Sequence, residues 1–212
     1  MSKNEHGAGE VRRKAILATA REMFLGQGYK AVSMSAIAAR LGGSKTTLWS
    51  YFRNKPDLFM AVAGDLVDEY ADYINAALVL DQPLDRSLTI FGERLLAALT
   101  SPPITALMRI VTGEGREVPG LGEMFHQQGL ARGWRITAEY FTELQRRGYL
   151  RSDADTFRAA QHFIALCESG SYQVHMVSGE TGPGTETITT DVAEAVRVFC
   201  AAYGSEPQVA GR

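Results

Sequence analysis

From Glu10 to Tyr203 the apolar residues of this chain recur at spacings of three and four. No stretch of useful length shows the every-second-residue alternation of a half-buried strand. A chain patterned this way buries its apolar stripes by packing helix on helix, so an all-α fold is expected. The first helix reads over residues 10–27, with Ile16, Ala20, Met23 and Phe24 on one face and Gly26 and Gly28 at its stop. The second starts after Ser33 as N-cap and runs to Leu41, where Gly42 and Gly43 break it. The third starts after Ser44 and ends near Phe52, with Leu48 and Phe52 as its inward pair. The fourth opens at Pro56, and its apolar pattern continues to Leu80, ahead of Asp81-Gln82-Pro83. Further helices are expected over residues 84–100, 104–113, 121–147, 154–178 and 186–203. A flexible run over 179–184 separates the last two, and the tail from Gly204 is expected to fray.

With 212 residues, 45% of them apolar, the chain can fill one large core or join a small domain to a larger one. A polar N-terminus and short apolar runs argue against a secretory leader or a membrane span. Cys167 and Cys200 lie far apart without a second ligand set, so a reduced, cytoplasmic protein is expected rather than a disulfide framework. The net charge of −2 conceals an asymmetry. Residues 1–64 carry ten Lys and Arg against four acids, net +6, while the remainder is net −8. Phosphate binding requires a basic block of this kind, because each neutralised phosphate releases condensed counterions.

Two short helices joined by a glycine turn let the first brace the second, whose outer face can enter a major groove. Lys45, Thr46, Thr47, Trp49 and Ser50 lie away from the Leu48 and Phe52 stripe and offer a cation, hydroxyls and an indole N–H. Such groups suit guanine edges, thymine methyls and phosphate oxygens. The competing reading is a surface hairpin with no partner. The residues also carry a resemblance, through Phe24-Leu25-Gly26-Gln27-Gly28-Tyr29, Val32-Ser33-Met34-Ser35-Ala36-Ile37-Ala38, and the run from Ser44 through Lys45-Thr46-Thr47-Leu48-Trp49-Ser50-Tyr51-Phe52 to Leu58. Residues 12–70 resemble the N-terminal domain of tetracycline-repressor (TetR) family regulators. That resemblance implies a homodimer whose heads each read half of a palindromic operator in double-stranded DNA. It implies that Ser33 and Ser35 approach phosphate at the start of the second helix and that Lys45, Thr46 and Thr47 face bases. Trp49, standing where the family more often has tyrosine, would touch backbone together with Ser50 and Tyr51, and Lys55 would pair with phosphate. The domain division that follows is a head over residues 1–55, an effector-binding and dimerisation body over 56–203, and a tail over 204–212.

The body is faintly similar to the C-terminal domain of the AefR-like subgroup, through Met108-Arg109-Ile110-Val111, residues 119–125 and Arg147-Gly148-Tyr149-Leu150. A pocket for an apolar or aromatic effector needs apolar walls and a few convergent polar groups. Phe91, Met108, Arg109, Trp134, Phe141 and His162 are its candidates, with ordinary core packing as the stronger alternative for each. Small and apolar residues share faces on the last two long helices: Phe163, Gly170 and Val174 on one, and Val192, Ala195, Val196 and Phe199 on the other. These are the expected dimer interface, with ordinary internal core as the alternative. The four histidines show no metal-ligand spacing, and no cofactor is expected. Catalytic elbows, zinc-protease pairs and phosphate-cradling loops are missing, which argues against an enzyme. Three readings remain: a ligand-responsive regulator, repressor in the first instance though the same helices suit an activator; a ligand-free accessory or structural DNA-binding dimer; and an all-α enzyme with a DNA-binding head. A drug-sized pocket separates the first from the second, and turnover of a small molecule would single out the third.

Overall fold

The structure, a computed structural model, describes residues 3–42, 45–178 and 182–205. Among them every regular element is helical, and the one β contact is an isolated antiparallel bridge between Leu150 and Gly204. The α-helices are α1 (Lys3–Gln27), α2 (Met34–Arg40), α3 (Lys45–Tyr51), α4 (Lys55–Asn75), α5 (Leu84–Leu99), α6 (Pro102–Glu114), α7 (Leu121–Met124), α8 (Ala131–Arg146), α9 (Thr156–Glu168), α10 (Ser171–Ser178) and α11 (Thr185–Tyr203). A short 3₁₀ turn, Gly115–Glu117, follows α6, and a π-helical turn, Phe125–Leu130, joins α7 to α8. The chain divides into two compact units, one of Met1–Asp68 with Ala106–His126 and one of Glu69–Thr105 with Gln127–Arg212. The head read from sequence as residues 1–55 is therefore part of a larger, discontinuous unit.

In unit one, Ile16, Ala20, Met23 and Phe24 of α1 are buried against Ile37 and Ala38 of α2, Leu48 of α3, and Leu58, Phe59 and Val62 of α4. Phe24, Tyr29 and Phe59 form an aromatic triad, with ring centroids 5.1 to 5.7 Å apart. Leu107, Ile110, Val118 and Leu121, from the separate 106–126 segment, complete the same core. Two of these, Leu107 and Leu121, are fully buried, and each such side chain contributes about 1.5 to 3 kcal/mol. Gly42 takes φ +62 at the turn after α2, a left-handed conformation that a side chain would strain. Gly43 and Ser44, read as helix breaker and N-cap, lie outside the described residues.

Unit two has an aromatic centre. Phe91 of α5 stacks on Phe163 of α9 at 5.4 Å, and Phe141 of α8 and Phe199 of α11 close around it at 5.1 to 5.9 Å. The first helix starts at Lys3 rather than Glu10, and the helix expected over 121–147 is interrupted by the π-helical turn. Three further boundaries differ from expectation. The fourth helix stops at Asn75 rather than Leu80, because the Val79 and Leu80 carbonyls turn to accept from the Tyr140 hydroxyl (2.7 Å) and Arg147 (3.2 Å). The helix expected over 154–178 breaks at Ser169 and Gly170, where Asp191 of α11 accepts from the Ser171 N–H at 2.7 Å and so caps a new helix across the core. The tail does not begin at Gly204: Ser205 donates to the Tyr149 carbonyl at 3.0 Å, beside the Leu150 bridge.

Candidate nucleic-acid interface

Ser33 has extended backbone, and its Oγ accepts from the Ala36 N–H at 3.1 Å, satisfying one of the orphan amides at the α2 start. Ser35 is exposed one turn-step later, on the outer side of a helix whose Ile37 and Ala38 face inward. On α3, Leu48 and the following Phe52 are buried, which turns Thr46, Trp49 (40% exposed) and Ser50 outward. Thr47 is half-buried, and its carbonyl accepts from Ser50 Oγ at 2.8 Å. Lys45 opens the helix, and Tyr51 is half-buried at its end. The outward face of α3 therefore carries the residue types needed to read a groove, and the inward face packs into the core of unit one.

Lys55 starts α4. Its ammonium lies 4.1 Å from the centre of the Tyr29 ring and 3.4 Å from the Lys30 carbonyl. Burial holds the Lys55 ammonium below its ordinary range, while Glu114 and Glu117 act in the opposite direction. Glu114 accepts from the Lys30 N–H at 2.9 Å, and Glu117 pairs with the Lys30 ammonium at 2.7 Å. Burial raises the Tyr29 hydroxyl, with Glu117 and Glu114 adding to the effect. The loop between α1 and α2 is thus clasped by two carboxylates from the end of α6 and its following turn.

The six pocket candidates are divided between the two units. Met108 and Arg109 belong to unit one, half-buried and exposed respectively. Phe91 and Phe141 are fully buried, ring against ring, in the core of unit two. Trp134 is half-buried with its edge on Phe157, and His162 is exposed with its Nδ1 2.5 Å from the Tyr203 hydroxyl. Of the seven residues expected at a dimer interface, Phe163, Val192, Ala195, Val196 and Phe199 are buried inside a single chain. Their side chains already pack the internal core, so they have no surface to offer a partner. Gly170 is half-buried, and Val174 is 64% exposed.

Sequence reasoning missed a polar group in unit two made of Tyr70, Thr105, Glu168, Ser171, Tyr172 and His175. His175 Nε2 lies 2.9 Å from Thr105 Oγ1, while His175 Nδ1 and Ser171 Oγ are buried without hydrogen-bond partners. Burial raises the Glu168 carboxyl to about 7 and the Tyr172 hydroxyl to about 12. It raises Tyr70 as well, with Glu168 adding to the effect. No spacing signal marks these residues, because they meet from α4, α6, α9 and α10.

Residues 16–62 match the family model for bacterial regulatory proteins of the tetR family, and residues 86–205 match that for the C-terminal domain of AefR-like transcriptional repressors. The chain belongs to the TetR family. It is a DNA-binding transcriptional regulator with a helix-turn-helix head. This TetR-family regulator is 36% identical over 90 residues to the HTH-type transcriptional activator FasR of Mycolicibacterium smegmatis, a match spanning 42% of this chain and 38% of FasR. It is 22% identical over 190 residues to the HTH-type transcriptional repressor ComR of Escherichia coli, spanning 88% of each chain. Its fold matches a TetR-family structure from Mesorhizobium loti with a TM-score of 0.87, at 24% identity, covering 96% of this chain and 100% of the other. The flavonoid-responsive regulator FrrA superposes with a TM-score of 0.74 at 25% identity over 93% of this chain and all of FrrA. Among the described residues no single helix is long and apolar enough to cross a membrane.

Proposed function

We propose that this TetR-family regulator is a ligand-responsive repressor that binds a palindromic operator as a homodimer and is released by a small-molecule effector held in unit two. The observation that carries the ligand-responsive part is the pair of buried, unpartnered polar atoms, Ser171 Oγ and His175 Nδ1, inside unit two. An unsatisfied buried polar atom costs about 1 to 3 kcal/mol, a penalty that a bound molecule can remove. FrrA, named as flavonoid-responsive, offers a precedent for effector control within the same fold. Repression is favoured over activation because the AefR-like repressor model spans residues 86–205, whereas the match to the activator FasR spans less than half of either chain. Lys45, Thr46 and Thr47 face bases in this reading, and Ser33, Ser35, Trp49, Ser50, Tyr51 and Lys55 hold phosphate. The dimer forms on the outer side of α10, where Val174 and Val177 stand exposed beside Gly170.

The test is direct. The DNA flanking the regulator's own gene is searched for an inverted repeat, and the repeat is titrated with the protein at several salt concentrations. Tight, salt-sensitive binding of one dimer per repeat is expected, and a single head per site would refute the palindromic reading.

A further inference from the structure

The aromatic core of unit two does not explain its polar group. Glu168 ends α9, Ser171 and Tyr172 start α10, His175 lies in its last turn, Tyr70 comes from α4, and Thr105 from α6. Ser171 and His175 are four apart on α10 and therefore share a face. His175 is only 7% exposed, and its ring is held in place by Thr105 at 2.9 Å. In the tautomer whose Nε2–H donates to Thr105, the buried Nδ1 presents a lone pair with nothing to accept from. The Ser171 Oγ, one helical turn earlier, is likewise buried without a partner. Among the described residues no cation pairs with Glu168, whose carboxyl is raised by burial alone. Its charge is felt by Tyr70, Cys167 and Tyr172, which places two phenol rings in its field.

An unpaired carboxylate in a low-dielectric interior is costly, and an anionic ligand would worsen the imbalance. A neutral ligand would satisfy the hydrogen bonds and leave Glu168 without a counter-charge when it ionises near neutral pH. A protonated amine supplies what is missing, since its N–H groups can donate to Glu168, Ser171 Oγ and His175 Nδ1 while phenol faces favour its positive charge. We propose that this cluster is the effector subsite and that it takes a protonated amine carried on an apolar or aromatic body. The proposal rests on the reading of unit two as the effector-binding body.

The full chain is titrated calorimetrically with the ammonium series from benzylammonium to 4-phenylbutylammonium, and with phenylalkanols and phenylalkanoates of matching length. At least one ammonium ion should bind saturably, at least tenfold more tightly than its neutral and anionic counterparts. Glu168→Gln should lower that affinity at least a further tenfold with unchanged circular dichroism, and Ser171→Ala, a smaller change to the fold, should lower it several-fold. Failure of every ammonium ion to bind, equal binding of the alcohols or carboxylates, or an undiminished affinity in Glu168→Gln overturns the proposal. The inverted repeat then separates the two readings. Ammonium binding through Glu168 that leaves DNA affinity unchanged upholds the cation site and refutes ligand-responsiveness. Release from DNA by the neutral or anionic compounds alone upholds ligand-responsiveness and refutes the cation site.

Discussion

Lys55 holds its ammonium against the Tyr29 ring at the start of α4, partly stripped of water before any phosphate arrives. Lys55→Ala should weaken binding to the operator and to random DNA alike and reduce the log-log salt slope by about one, since a phosphate contact carries no base information. Thr47→Ala should behave differently in the same titrations: a loss of about 1 to 3 kcal/mol on the operator and less on random DNA marks a base contact, and equal losses mark a backbone contact. Glu168 sets a pH dependence. Its carboxyl, raised from 4.5 to about 7 in the folded state, keeps its proton where the unfolded chain has lost it, so stability should fall as pH rises from about 4.5 to about 7 and level off above. The effect is on the order of 3 kcal/mol, and chemical denaturation across that range should show the slope in the native chain and its disappearance in Glu168→Gln. Ser33 was legible as a cap because a hydroxyl ahead of an apolar period has few other uses. The neighbours of Lys55 and Glu168 were not legible, because Glu114 lies 84 residues from the Lys30 amide it binds and Tyr70 lies far from α9 in the chain.

Among the elements, α5 and α11 meet at Gly92. A Cβ built there would lie 2.8 Å from Val192 Cγ1 and 3.3 Å from Cys167 Sγ, closer than the packed helices allow. Gly92→Ala should therefore destabilise unit two by about 1 to 3 kcal/mol, and Val192→Ala should restore part of the lost thermal midpoint when combined with it. The helix order was readable from apolar period and glycine punctuation, and α2, α5 and α11 begin or end within a residue or two of expectation. Two of the misread ends share one physical cause. Asn75 and Ser169 end their helices because Tyr140, Arg147 and Asp191, on other helices, provide hydrogen bonds that the local pattern does not contain. A hydrophobic stripe reports which face is buried, and it is silent about a carboxylate arriving from across the core.

For the whole molecule, burial decides where an interface can be tested. Val196, Val192 and Phe199 are interior, so an arginine at Val196 would disrupt folding itself. Val177, 87% exposed on α10, is the sharper probe: Val177→Arg should leave helical content intact, shift sedimentation to monomer and lower operator affinity by orders of magnitude. A fully dimeric Val177→Arg would place the interface elsewhere. If the proposed switch operates, effector and DNA oppose each other reciprocally, with a coupling of about 1 to 3 kcal/mol. Trp49 and Trp134, the only tryptophans, lie in different units. With Trp134→Phe the remaining emission should report operator binding and its reversal by effector, and a tight ligand without such reversal would refute the switch. The head was legible because its matching residues fall in continuous runs of sequence, whereas the polar group of unit two is gathered from four helices. The core that Leu107, Ile110, Val118 and Leu121 complete carries a consequence for protein engineering. A chimera that borrows this head by cutting once, after α3 or within α4, would leave behind part of the head's own interior. Transplanting its specificity onto another body means carrying two separate pieces of chain, or redesigning the receiving surface to fill the gap.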